Sequence, residues 1–410
     1  MNRYFLSFAA ALLLAACAAP PQPPPPPTPT AAPTAAATAD PTAAPSVTPG
    51  ATPAPAPTSA QQRLPAPLYV LELGQIARIE PDGVTRTLLT AETVELDGVR
   101  PIATFTLSAL GTLAYVVGDR AADRLMIADA RGRSARVLYE QPGHELSDLR
   151  FAPDGESLLF RLLNNLEPPD LPGGIYRIAL AGGAPQLLRA DDPVDDPVTP
   201  SRSVSGYAPL AFSPDGAQLL VAVNALFYED CTVGVMPATG GDVVRVTLPA
   251  TEQLYCGEAA WAADGASLLF LAGPRDGPDA GPNLWRADAA TGAATALMTP
   301  ATFVRAPLAL PDGAIRFFLA TVQRDSAGLI TGASFTTAEL APGASTPATL
   351  GAAFPELIER ALWAPDGSGA VIELSTNEQR SLLRWQPVGG EAIKLPSSGD
   401  AVVGLAWGVE

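Results

Sequence analysis

The sequence predicts an all-β protein, a seven-bladed β-propeller built from four-stranded antiparallel blades. Three observations predict it. A strand, a tight turn ending in Gly and a second strand recur at a period of about fifty residues. Between those copies runs a second series of Gly-turned hairpins. Half a unit stands unmatched at each end of the repeating region, and the two halves together make one more blade.

The first residues read as an export signal. Asn2 and Arg3 are polar and basic, and Tyr4 to Ala16 form an apolar run too short to span a bilayer. It ends in Leu14-Ala15-Ala16-Cys17, the small-residue pattern of a bacterial lipoprotein signal. A thiol is needed there to carry the lipid, so residues 1–16 are expected to be removed and Cys17 to be acylated.

Residues 17–66 are then a tether, almost wholly Pro, Ala, Thr and Ser, with PPQPPPPP at 20–27 and PAPAP at 53–57. Such a stretch has too few apolar side chains to offset ordering entropy, and its prolines favour extended polyproline II. At about 3.1 Å per residue it could reach roughly 100 Å. Its Thr/Pro content also permits O-glycosylation.

Residues 67–410 carry the repeat. The first series is LSALGTLAYV (107–116), FAPDGESLLF (151–160), FSPDGAQLLV (212–221), WAADGASLLF (261–270), ALPDGAIRFF (309–318) and WAPDGSGAVI (363–372). In x-Pro-Asp-Gly the proline presets φ at one corner, Asp tolerates the next, and Gly accepts the left-handed conformation. Asp154, Asp215, Asp264, Asp312 and Asp366 are therefore expected to form turns, joining strands A and B of each blade. Strands C and D come from the second series: 75–89, 124–138, 174–188, 232–246, 283–297, 334–350 and 382–395. AVVGLAW at 401–407 is a strand A without its turn, and PLYVLEL at 67–73 a strand B without its A. Pairing 401–407 with 67–73 completes the seventh blade and removes the exposed edges.

The F-x-PDG-x-x-LxF pattern resembles the TolB-like, WD-repeat-like propeller family of bacterial exported proteins, over residues 67–410 in essence. That resemblance implies the fold and an extracytoplasmic location. TolB carries an α/β domain before its propeller, whereas a lipidated tether is expected here, so its Tol-system role is not expected to carry over. The repeat also resembles the propeller domain of prolyl oligopeptidases, but a hydrolase domain is not expected here.

The chain has 42 acidic and 25 basic residues, a formal net charge of −17, and one lysine, Lys394. Nucleic acid is not an expected partner, because binding it requires Lys and Arg to neutralise phosphates. A single histidine, His144, weighs against multi-His metal centres and His-based triads. Beside Gly143 and Glu145 in a D–A loop, it is expected at the surface. Neither a phosphate-binding Gly loop nor a G-x-S-x-G elbow is present.

Alternating strand direction puts the A–B and C–D turns on one face and the longer B–C and D–A loops on the other, where propellers usually bind. Glu167, Asp170, Asp191, Asp192, Asp195, Asp196, Glu229 and Asp230 gather on neighbouring blades of that loop-rich face. Such carboxylates suit Ca²⁺, a basic partner, or plain solvation, and no calcium-loop spacing selects among these. Asp148, Glu258 and Arg360 each stand three residues before the strand A aromatic and are expected to rim the central channel, receiving a small ligand or simply holding water. Cys231 and Cys256 fall at the loop-rich end of adjacent blades, placed either to form a disulfide or to remain buried thiols.

The sequence thus favours a monomeric, non-catalytic, cofactor-free binding or scaffold module in the cell envelope, held through Cys17 to the outer side of the cytoplasmic membrane or within the envelope and meeting an envelope protein or glycan. A carboxylate-dependent glycan hydrolase or lyase is the alternative. Labelled fatty acid fed to producing cells should appear in the wild-type chain, and Cys17→Ser should abolish that incorporation.

Overall fold

The computed structural model describes residues 64–90, 102–118, 122–164, 169–193, 204–225, 231–274, 281–298, 303–326, 330–375 and 381–409. These residues form seven antiparallel sheets. Blade 1 runs, in sheet order A to D, Val402–Trp407, Leu68–Glu72, Gln75–Ile79 and Arg86–Leu88. Blade 2 is Ile102–Leu107, Thr112–Gly118, Asp123–Asp129 and Arg136–Glu140. Blade 3 is His144–Phe151, Ser157–Asn164, Gly174–Ala179 and Gln186–Ala190.

Blade 4 comprises Val204–Phe212, Gln218–Ala225, Thr232–Pro237 and Val244–Arg245. It gains a fifth strand, Asp192–Pro193, on the free edge of its strand A. Blade 5 is Glu252–Trp261, Ser267–Pro274, Asn283–Asp288 and Ala294–Ala296. Blade 6 is Phe303–Ala309, Ile315–Arg324, Ile330–Leu340 and Ala348–Thr349. Blade 7 is Leu357–Trp363, Gly369–Ser375, Ser381–Pro387 and Ile393–Lys394.

The ring closes as the unmatched ends require. Leu68 pairs with Trp407, Val70 with Leu405 and Leu71 with Gly404, and the Gly408 amide donates to the Pro67 carbonyl at 2.7 Å. Strand B of blade 5 is covered on both sides, which is why Ser267–Pro274 is an almost unbroken apolar run rather than an alternating one. Seven apolar clusters form, one at each junction between neighbouring blades.

The repeated motif earns its residue types twice, once within its own turn and once against the next. Within the turn, Asp154, Asp215, Asp264, Asp312 and Asp366 each accept the amide two residues on, at 2.8–3.0 Å. Against the next, Gly216 has φ of 72°, and a Cβ there would lie 3.1 Å from Pro153 in the turn of blade 3. Gly265 approaches Pro214 of blade 4 in the same way, and Gly111 approaches Val409, which takes the proline position in blade 1. The turns therefore nest around the ring on one face.

The aromatic that closes strand A also reaches the preceding blade. Trp261 Nε1 donates to the Ala211 carbonyl at 3.2 Å, Trp363 Nε1 to Ala306 at 2.6 Å and Trp407 Nε1 to Trp363 at 2.8 Å. Trp407 also meets Trp385 edge-on, with centroids 5.7 Å apart. Because Trp407 serves the closing pair and the junction with blade 7 at once, Trp407→Ala should lower unfolding free energy by about 3 kcal/mol. Trp407→Phe, which removes the hydrogen bond but keeps most of the packing, should cost about 1 kcal/mol in the same denaturant titration.

Candidate functional site: the loop-rich face

Strand A is innermost, so near the loop-rich end its free edge carries amides without a sheet partner, and a buried donor left unpaired is costly. It is also irregular. Its pairing slips in every blade, for example between Ile102 and Thr104, Ser147 and Arg150, and Arg305 and Leu308. Acidic side chains meet those amides across the blade junctions.

Asp123, buried at the start of strand C of blade 2, accepts the Leu146 amide of blade 3 at 2.8 Å. Asp191 accepts the Tyr207 amide of blade 4 at 3.0 Å. Glu373 of blade 7, also buried, accepts the Val402 amide of blade 1 at 2.8 Å and the Ser381 hydroxyl at 2.6 Å. Glu72 of blade 1 accepts the Ser398 amide and Arg86 Nη2, at 2.9 and 3.0 Å.

The acids selected from the sequence divide accordingly. Glu167, Asp195, Asp196, Glu229 and Asp230 lie outside the described residues, as does Cys17. Asp191 is largely buried and meets Arg161 at 3.3 Å; burial is the main influence on its carboxyl and pushes its pKa up, against the pull of Arg161. Asp192 takes a 2.6 Å contact from Arg189, whose guanidinium stacks over Tyr207 at 4.6 Å from the ring centroid, and a 3.7 Å contact from Arg245. These two carboxylates are engaged by arginines, and among the described residues no group of three His, Cys, Asp or Glu side chains could hold a metal ion.

The three channel positions are not equivalent. Asp148 stands inside its bulge, with φ of 52°, and accepts the Ser147 hydroxyl at 2.7 Å. Glu258 also stands in a bulge, receiving Arg305 Nε at 2.6 Å and the Ala306 amide of blade 6. Arg360 lies past its bulge, paired in register with Glu373 and 3.6 Å from its carboxylate. The common spacing to the aromatic conceals this because the bulges differ in length.

His144 is the clearest departure from expectation. It is not at the surface: its side chain is 0% exposed. Nδ1 lies 2.9 Å from the Tyr139 hydroxyl of blade 2, and Nε2 lies 2.8 Å from Asp170 Oδ1. Asn164 Nδ2 donates to the same carboxylate oxygen at 2.6 Å and to the Leu171 carbonyl at 2.7 Å. A neutral imidazole satisfies the chain by accepting from Tyr139 and donating to Asp170. Tyr139 then leads into an aromatic stack with Phe160 and Tyr176.

Burial, with Asp170 contributing, pushes the Tyr139 phenol up to about 12, so it is not an activated nucleophile. His144 holds Asp170 below the usual carboxylate range, helped by Asn164. The group fastens the blade 3 B–C loop to blade 2. Neighbouring Gly143 and Glu145 signalled a surface loop, and nothing in the local sequence named Tyr139 or Asp170 as partners.

Sequence reasoning also missed the arginines of strand C. Arg177 and Arg286 reach their own blade's turn carboxylates, Asp154 at 3.0 Å and Asp264 at 3.6 Å. Their recurrence at the fourth position of the C strand, as in Arg78, Arg177 and Arg286, was the available signal. Cys231 is disulfide-bonded, whereas the Cys256 side chain lies outside the described residues.

No family model and no curated protein matches the chain. Among solved structures it is similar to a prolyl endopeptidase at 11% identity, covering 83% of this chain and 52% of that one, with a TM-score of 0.55. A puromycin-hydrolysing peptidase of Mycobacterium tuberculosis gives 16% identity, 83% and 55% coverage and a TM-score of 0.54. TolB from Acinetobacter baumannii gives 19% identity, 81% and 78% coverage and a TM-score of 0.46. The chain spans about half the length of the two peptidases. At these identities the likeness is one of fold, the β-propeller.

Asp170 has a depressed folded-state pKa, so its contribution to stability is present above the ordinary carboxylate range and is lost as pH falls through the lowered value. Asp170→Asn should therefore be less stable than wild type at neutral pH. The gap in melting temperature should close as the solution is acidified below about pH 4.

Proposed function

We propose that the protein is a binding or scaffold propeller, exported and held in the cell envelope by lipid on Cys17, which offers its loop-rich face to an envelope protein or glycan. The observation that carries this reading is where the chain enters the ring. The Leu64 amide donates to the Pro81 carbonyl, in the C–D turn of blade 1, at 2.8 Å, and the Leu64 side chain is buried in the cluster between blades 7 and 1. The chain thus joins strand B from the turn face. The opposite, loop-rich face carries neither Leu64 nor its contacts, and it is the face we assign to a partner.

The polar ties support the same reading. Acids and His144 join strands of adjacent blades near the loop-rich face, so the described residues there are held before a partner arrives, and less entropy is lost in ordering them on binding. A glycan hydrolase or lyase would need two carboxylates facing a substrate. Asp191, Asp192, Glu258 and Glu373 instead face arginines or backbone amides.

Photo-cross-linking tests the orientation directly. A photoreactive residue replacing Asp400, in the exposed D–A loop before blade 1, should yield adducts with an envelope component in intact cells. The same residue replacing Asp312, in an A–B turn, should yield none. Adducts from Asp312 alone, or from neither position, would count against the reading.

A further inference from the structure

Cys231 immediately precedes strand C of blade 4, and its Sγ lies 3.9 Å from the Leu254 carbonyl oxygen in strand A of blade 5. Cys256 follows Leu254 by two residues, whereas Cys17, the third cysteine, belongs to the expected lipid anchor. Strand A of blade 5 has its irregular stretch here. Pairing passes from Leu254 with Ala272 to Ala259 with Phe270, so four residues, 255–258, oppose Leu271 alone, and Gly257 takes φ of 93°.

The last residue of that bulge is Glu258, which holds Arg305 and the Ala306 amide of blade 6. Arg305 continues to the Ile358 carbonyl of blade 7 at 3.2 Å. On its other side the half-buried Cys231 lines an open cavity of about 400 Å³, together with Thr232, Arg245, Thr247, Glu252 and Leu254. The disulfide-bonded Cys231 therefore faces this cavity and lies beside Leu254, the residue before the bulge that fastens blade 5 to blade 6.

We infer that the disulfide joins Cys231 to Cys256 and is a thiol–disulfide exchange site for an extracytoplasmic dithiol, with its state setting the bulge and, through Glu258, the grip of blade 5 on blade 6. A thiolate of the dithiol attacks Cys231 Sγ from the cavity, the bond to Cys256 breaks, and Cys256 leaves as a thiolate that takes up a proton. The second thiol then attacks the mixed disulfide, releasing Cys231 as a thiol and the reagent as its own disulfide. Two electrons pass from reagent to protein, and the two protons of the dithiol end on the cysteines. A disulfide open to a cavity exchanges more readily than one sealed in a core.

The test uses the full chain, with dithiothreitol as the dithiol. Peptide mapping without reductant should give a Cys231–Cys256 cross-link that dithiothreitol removes with no denaturant present. Hydrogen exchange should then rise roughly tenfold at residues 254–259 and at the Ala306 amide, while blades 2 and 3 stay unchanged. Cys256→Ser should reproduce that pattern in untreated protein. A cross-link from Cys231 to Cys17, resistance to reduction until denaturant is added, or exchange that is unchanged or rises evenly around the ring would overturn the proposal.

Discussion

A ring of blades exists only if its first and last sheets are the same sheet, and here a single antiparallel pair supplies that condition. Val402–Trp407 lies against Leu68–Glu72, joining residues more than three hundred positions apart. Without that pair, blade 1 would lose its inner strand and blade 7 the wall that covers Trp385 and Leu383. Two open sheet edges would face water, the arrangement that invites association with other chains. The apolar clusters at the other junctions assume this closure, because each blade is sandwiched between two neighbours.

Closure also makes the two faces unlike. On the turn face, short hairpins nest glycine against the preceding turn, and the repeat holds its shape through local Asp-to-amide bonds. On the loop-rich face the inner strands are bulged, and long-range polar ties take over: Asp123 to Leu146, Asp191 to Tyr207, Glu258 to Ala306, Glu373 to Val402, and Tyr139 through His144 to Asp170. Leu64 sits beside Pro81 on the uniform face, whereas the longer loops, the kind of segment that usually carries binding, belong to the varied one.

What the sequence made legible follows from how far apart the interacting residues are. The turn aspartates bond two residues away, and blade closure follows from counting half-units, so both could be read from spacing. The fifth strand of blade 4 could not, because Asp192 and Pro193 carry no strand signal and pair only through contact with Val204 and Ser205. The acidic loop illustrates the same limit. Asp191 and Asp192 were visible as carboxylates, but their partners Arg161, Arg189 and Arg245 come from strands B and D of blade 3 and strand D of blade 4. His144 was assigned to the surface because its neighbours are loop-like, whereas its burial depends on Tyr139 from the preceding blade and on Asp170 from a loop further along the chain.

Native-state hydrogen exchange at the closing pair tests the central dependence most directly. If the ring stands or falls with that pair, the amides of Tyr69 and Ala406, which face each other across it, should exchange only through global unfolding, at the same free energy as Leu220 in blade 4 and Phe270 in blade 5. Exchange at Tyr69 and Ala406 through a separate opening of much lower free energy, with blades 4 and 5 still protected, would contradict the account.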